Sequence, residues 1–195
     1  PVDHAQERGL AGTRCADVAI MSFCVMPNHW HLLVRPRRAG DLSEFMRLLT
    51  VTHTQRYHAH HHTSGTGPVY QGRFKSFPIQ DETHFVTAAR YVERNALRAS
   101  LVERAEDWPW SSLHARREGP AEVRDLLAAW PTPGGVPRQW LRTVNAPLNP
   151  KELEAVRTCV KRSRPLGAAP WVERTATRMG LASSLRNPGR PRNEA

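Results

Sequence analysis

The sequence predicts an α+β protein: an antiparallel sheet with amphipathic helices, followed by a mainly helical, basic C-terminal extension. Three observations predict it. Residues 16–35 hold two apolar, β-rich runs separated only by a Pro-Asn turn. Two later segments repeat apolar residues at helical spacing behind a capping residue. After "WPWSS" (108–112) the pattern changes to short helical stretches broken by Pro and Gly.

In chain order, "ADVAIMSFCVM" (16–26) reads as the first strand and His29 to Arg35 as the second. Asp41 or Ser43 caps a helix whose apolar positions are Leu42, Phe45, Met46, Leu49 and Thr52. "TSGTGP" is a loop, and "VYQGRFKSFPI" reads as a further strand. Asp81 caps the next helix, with Phe85, Ala88, Ala89, Val92 and Ala96 on one stripe. The boundary falls near residues 115–120, giving a domain over 1–117 and an extension over 118–195. In the extension, "NPKELEAVRTCVKRS" and "PWVERTATRMGL" read as short helices behind the linker "WPTPGGVP".

The net charge is +10, with 28 Lys+Arg against 18 Asp+Glu. That excess points to a polyanionic partner. The only lysines are Lys75, Lys151 and Lys161. Nucleic acid and an anionic membrane surface are the two candidates. Arginine forks onto phosphates and stacks on bases, which favours nucleic acid over a merely soluble surface, the alternative being a GC-rich genome that encodes Arg for Lys. Cys15, Cys24 and Cys159 form no CxxC, so neither a structural zinc module nor a disulfide framework is expected, and the usage fits a reducing compartment. No apolar run reaches membrane-spanning length, and no signal peptide is evident.

On a strand, residues i and i+2 share a face, so His29 and His31 project together, about 6 to 7 Å apart. Trp30 and Leu32 are then expected to face the core on the opposite side. Two neutral imidazoles can share a divalent ion, but such a pair needs a third ligand. The alternative is a polar strand face. In "RYVERNALRA", Tyr91 and Asn95 stand at i and i+4, on the flank of the apolar stripe. Tyr91 offers a phenol that could act as a nucleophile, and Asn95 a neutral carbonyl oxygen. The alternative is a tyrosine packed on the sheet and a solvated asparagine. Tyr57 and Tyr70 rank below Tyr91, and "HAHHH" (58–62) reads as a solvated cluster.

"FCVMPNHWHLLVRP", "GTGPVYQGRFKSFPI", "ARYVERNALRASLV" and "EDWPWSSL" occur in this order. Together they resemble the single-tyrosine HUH transposases of the IS200-like family, and most closely the REP-associated tyrosine transposases of bacteria. The likeness spans roughly residues 16–113. It implies a ferredoxin-like antiparallel sheet with helices on one face. It assigns His29 and His31 as metal ligands, Asn95 as the third ligand and Tyr91 as the nucleophile. It implies Mg²⁺ or Mn²⁺, with no small-molecule cofactor. Cleavage and rejoining of single-stranded DNA at hairpin, REP-like elements would pass through a 5′-phosphotyrosine. Relatives usually carry a strand and a helix before the "FCVMPN" strand; about 15 residues precede that strand here, so a first strand is expected to be lacking. Ala96 stands where relatives often have Pro, a change that favours the helix.

The DNA-binding residues expected are Arg73 and Lys75, on one face of the strand in "YQGRFKSFP", together with Arg98 and the tail arginines Arg190 and Arg192. "GRPR" resembles an AT-hook, whose extended backbone lays arginines in a minor groove. The partner is thus single-stranded or hairpin DNA, with no membrane, for a cytoplasmic, nucleoid-associated monomer or homodimer. Two other readings stay open: a catalytically inactive DNA-binding remnant of such a transposase, and a water-using phosphodiesterase in which Tyr91 is structural.

Overall fold

The structure, a computed structural model, describes residues 17–186. The chain forms two compact units. Among the described residues, one contains 17–20 together with 34–74; the other contains 21–33 and 75–186. Strands β1 (Val18–Val25) and β2 (Trp30–Pro36) pair into a two-stranded antiparallel sheet. The Pro-Asn turn is as expected, closed by the Met26 N–H donating to His29 O at 2.7 Å. His29 therefore belongs to the turn, one residue before β2 begins.

In the first unit, α1 (Asp41–His61) begins behind Gly40, whose φ of 94° places it in the left-handed region. Asp41 is the first helical residue and does not cap the helix. Its carboxylate accepts from the Arg38 N–H at 2.8 Å. Of the predicted stripe only Met46 is fully buried, and Leu49 is exposed.

The second unit holds the larger core. Helix α2 (Glu82–Glu93) starts as predicted, with the Asp81 carboxylate accepting from the His84 N–H at 3.0 Å. A break at Arg94 separates it from the one-turn helix α3 (Asn95–Arg98). Phe85, Ala88, Ala89, Val92 and Ala96 are all buried, which confirms the stripe. After a 3-10 turn (Ala105–Asp107) come α4 (Ser112–Glu118), α5 (Ala121–Arg124), α6 (Trp140–Asn145), α7 (Pro150–Arg162) and α8 (Ala169–Arg178). The α+β class and the helical C-terminal extension are as expected. Helix α7 opens with a full capping box between Asn149 and Glu152. Trp130, Trp140, Val144, Val156 and Leu166 from this later part share one apolar core with Phe85 and Ala89.

One element departs from the sequence reading. "VYQGRFKSFPI" is not a strand. It makes a single parallel bridge, Ile79 to Leu166, with the Leu166 N–H donating to Pro78 O and the Gln80 N–H donating to Leu166 O. Gly72 at φ 78° breaks the extended run, and Pro78 has no N–H to give a ladder. The outer edge of β1 is instead met by "WPWSS": Cys24 bridges Ser111, and the Val25 N–H donates to Trp110 O at 2.8 Å.

Candidate active site on the strand turn and helices α2 and α3

The start of β2 and the junction of α2 with α3 bring five of the expected residues together. The His29 and His31 rings lie 5.1 Å apart and nearly perpendicular. The His31 ring packs edge-on against Tyr91 at 5.6 Å. The Arg98 guanidinium stands over the Tyr91 ring at 5.5 Å, and its Nη2 donates to Asn95 Oδ1. The contacts thus run without a gap from His29 through His31, Tyr91 and Arg98 to Asn95.

Burial is graded along this chain of contacts. His29 is exposed, His31 half-buried, Tyr91 buried and Asn95 fully buried. Tyr91 and Asn95 are therefore inside the buried face, not on its flank. The histidine face of β2 is also the face that sinks into the core, since Leu33 follows His31 on it and is buried. Trp30 and Leu32, expected to face the core, are only half-buried.

Burial lowers the His29 pKa, and Arg98 adds to the effect. Burial, then the charges of His29 and Arg98, push the His31 imidazole down to about 4. Both rings are therefore neutral at neutral pH, the form that donates a lone pair. His29 Nδ1 sits 2.7 Å from Asn28 Oδ1. An amide oxygen only accepts, so Nδ1 carries the hydrogen and Nε2 is left free to act as a donor atom. The histidine pair thus fits a divalent ion. Among the described residues no group of three His, Cys, Asp or Glu side chains could hold one, so a third protein ligand would have to be of another kind. Asn95 carries a neutral oxygen of that kind. It is held by Arg98, while its Nδ2 is buried with no hydrogen-bond partner.

The other expected positions lie elsewhere. Arg73 and Lys75 are exposed on irregular backbone, so the alternation argued for them does not hold. Arg190 and Arg192 lie outside the described residues. Burial pushes the Cys24 and Cys159 thiols up to about 11, which removes them as nucleophiles at neutral pH. In the first unit the Tyr70 hydroxyl bonds His53 Nδ1 at 2.8 Å, and Tyr57 stacks near His61 at 4.3 Å.

Sequence reasoning missed Glu93, two residues after Tyr91 and completely buried. Its Oε1 accepts from the hydroxyls of Ser22 (3.0 Å) and Ser112 (2.5 Å) and from Arg116. Its Oε2 accepts from the Trp140 indole at 2.6 Å. This network ties α2 to β1, α4 and α6 and so fixes the helix that carries Tyr91. Acidic residues in a helix usually read as solvated, so no periodicity marks it.

The IS200-like transposase family model matches residues 13–95, a stretch that ends on Asn95. A putative REP-associated tyrosine transposase of Haemophilus influenzae is 25% identical over 112 residues, covering 53% of this chain and 62% of that relative. The chain thus spans just under two thirds of that relative's length. No solved structure matches the chain. Both matches point the same way as the motifs: residues 13–95, the stretch that contains His29, His31, Tyr91 and Asn95, are similar in sequence to IS200-like transposases.

Proposed function

We propose that the chain is a DNA strand transferase that cleaves and rejoins single-stranded DNA at hairpin elements, with Tyr91 as nucleophile. The observation that supports this best is the unbroken contact chain His29–His31–Tyr91–Arg98–Asn95. Those residue types suit phosphodiester transfer. The Tyr91 oxygen attacks phosphorus and forms a phosphotyrosine, and the bond to the 3′ oxygen breaks. A free 3′-OH reverses the step and releases the tyrosine. Arg98 lies where it can stabilise a phenolate or a phosphate oxygen. His29 and His31, with Asn95 once its oxygen is released, would hold Mg²⁺ or Mn²⁺. When bound, such an ion supplies Lewis acidity to the phosphate and the leaving oxygen. The net charge of +10 supports a DNA partner and predicts affinity that falls steeply with salt.

The test is a denaturing gel of the protein incubated with Mn²⁺ and labelled single-stranded hairpin DNA. A covalent adduct is expected that is lost in Tyr91→Phe and survives in Tyr70→Phe. Free cleaved DNA made by Tyr91→Phe would establish water as the nucleophile instead. Retarded bands on a native gel without any cleavage would favour the inactive binder.

A further inference from the structure

We propose that Arg98 is a resident cation at the ion position, bonded to Asn95 Oδ1 until a phosphodiester draws it away, so that divalent-ion and strand binding are coupled. This rests on the reading of His29, His31 and Asn95 as the ion's ligands and adds to it a control element.

Three observations carry it. First, both claimants need the same atom. A guanidinium has only donors, so it must take the amide oxygen, and that oxygen is the one end of Asn95 an ion can use. Second, Arg98 lies close to the whole ligand set. It bonds Asn95 and covers the Tyr91 ring at 5.5 Å, and that ring packs against His31 at 5.6 Å. A divalent ion among those ligands would face the same positive charge at short range. Third, Arg98 can leave. It is exposed, and no carboxylate pairs with it among the described residues. An arriving phosphate is the partner it lacks, and Arg binds phosphate by charge-assisted hydrogen bonds.

The consequence is an ordered site. Without DNA, Arg98 keeps Asn95 occupied and the ion bound weakly. With a phosphodiester in place, Arg98 shifts its hydrogen bonds to phosphate oxygen and Asn95 Oδ1 becomes free. Because coupling is reciprocal, the ion must then tighten DNA binding by the same factor as DNA tightens the ion.

The experiment measures Mn²⁺ affinity by electron paramagnetic resonance, in a Tyr91→Phe background that blocks covalent chemistry, with and without a single-stranded hairpin oligonucleotide. The Tyr91→Phe parent should bind Mn²⁺ about tenfold tighter with DNA than without it, within the range usual for coupled sites. Adding Arg98→Ala should tighten Mn²⁺ binding without DNA by a similar factor and abolish the further gain from DNA. Arg98→Gln keeps a neutral donor for Asn95 and should behave like Arg98→Ala if charge is the cause. The proposal is overturned if Arg98→Ala leaves Mn²⁺ affinity unchanged or lowers it, or if the gain from DNA persists. His29→Ala separates the two levels. If it leaves Mn²⁺ binding intact, the ligand assignment fails and takes the proposal with it. If it abolishes binding while Arg98→Ala has no effect, the assignment stands and only the role of Arg98 falls.

Discussion

Glu93 and Asn95 are two residues apart at one helix junction, and both side chains are completely buried. Their surroundings are opposite in kind. Glu93 is saturated, with two hydroxyls, a guanidinium and an indole donating to its oxygens. Asn95 has one bond, to an exposed arginine, and a buried Nδ2 with none. Buried polar groups are ordinarily satisfied, because an unmet donor costs about 1–3 kcal/mol. The Glu93 cluster follows that rule and holds the helix in place. The Asn95 cluster departs from it, together with two imidazoles held neutral and a cation that no carboxylate pairs with among the described residues. Spare bonding capacity is what a site awaiting a ligand should show; among the described residues the other buried side-chain atom without a partner is Arg90 Nε, one turn before Glu93.

The largest effect expected from breaking this contrast is at Glu93. In Glu93→Ala, the Trp140 indole loses its acceptor, and two buried hydroxyls and Arg116 each lose one of theirs. Removing one member of a buried ion pair typically costs about 3–5 kcal/mol. Urea unfolding followed by tryptophan fluorescence should show a loss of that size. Glu93→Gln should lose less, since it keeps an acceptor for the indole or the hydroxyls. A loss below about 1 kcal/mol in Glu93→Ala would mean that the network is ornamental.

The next effect is a pH dependence from the opposite side. His31 titrates at about 4 in the folded chain, chiefly through burial, against about 6.5 for an unfolded histidine. Between those values the unfolded chain binds a proton that the folded chain refuses. Stability from this group is therefore fully present above pH 6.5 and is lost progressively as pH falls toward 4, by up to about 3 kcal/mol. Unfolding of the protein in EDTA across that window should show the slope, and His31→Phe should flatten it. An unchanged slope in His31→Phe would assign the acid sensitivity to other groups.

The hairpin, the Asp81 cap and the apolar stripe of α2 were legible because each depends on local rules of turn, cap and period. The histidine pair and the Tyr91–Asn95 spacing were legible for the same reason, and the structure brings them together. What sequence could not give depends on partners distant in the chain. Glu93 meets Ser22, Ser112 and Trp140, at separations of 71, 19 and 47 residues. The expected strand through Arg73 and Lys75 failed for a related reason. Its β-type composition found only Leu166 to pair with, while Gly72 and Pro78 weakened it from within. The alternation argument for Trp30 and Leu32 chose the wrong face because apolar residues occupy both sides of β2, and burial is decided by what packs there.

The smallest expected change is at Asn95 itself. Asn95→Ala removes one bond to an exposed arginine and leaves a small cavity. It also removes an amide N–H buried without a partner. The first two terms destabilise by about 1 kcal/mol each, and the last restores a similar amount. Stability should therefore change by no more than about 1 kcal/mol, although Asn95 is as deeply buried as Glu93. Mn²⁺ affinity should nevertheless fall, because the oxygen is gone. Denaturation of Asn95→Ala beside Glu93→Ala decides the matter. If the two variants lose stability equally, Asn95 is a second structural anchor, and its open valence is no sign of a waiting ligand. If only Glu93→Ala is destabilised, one helix junction carries both a saturated polar tie and an uncommitted one.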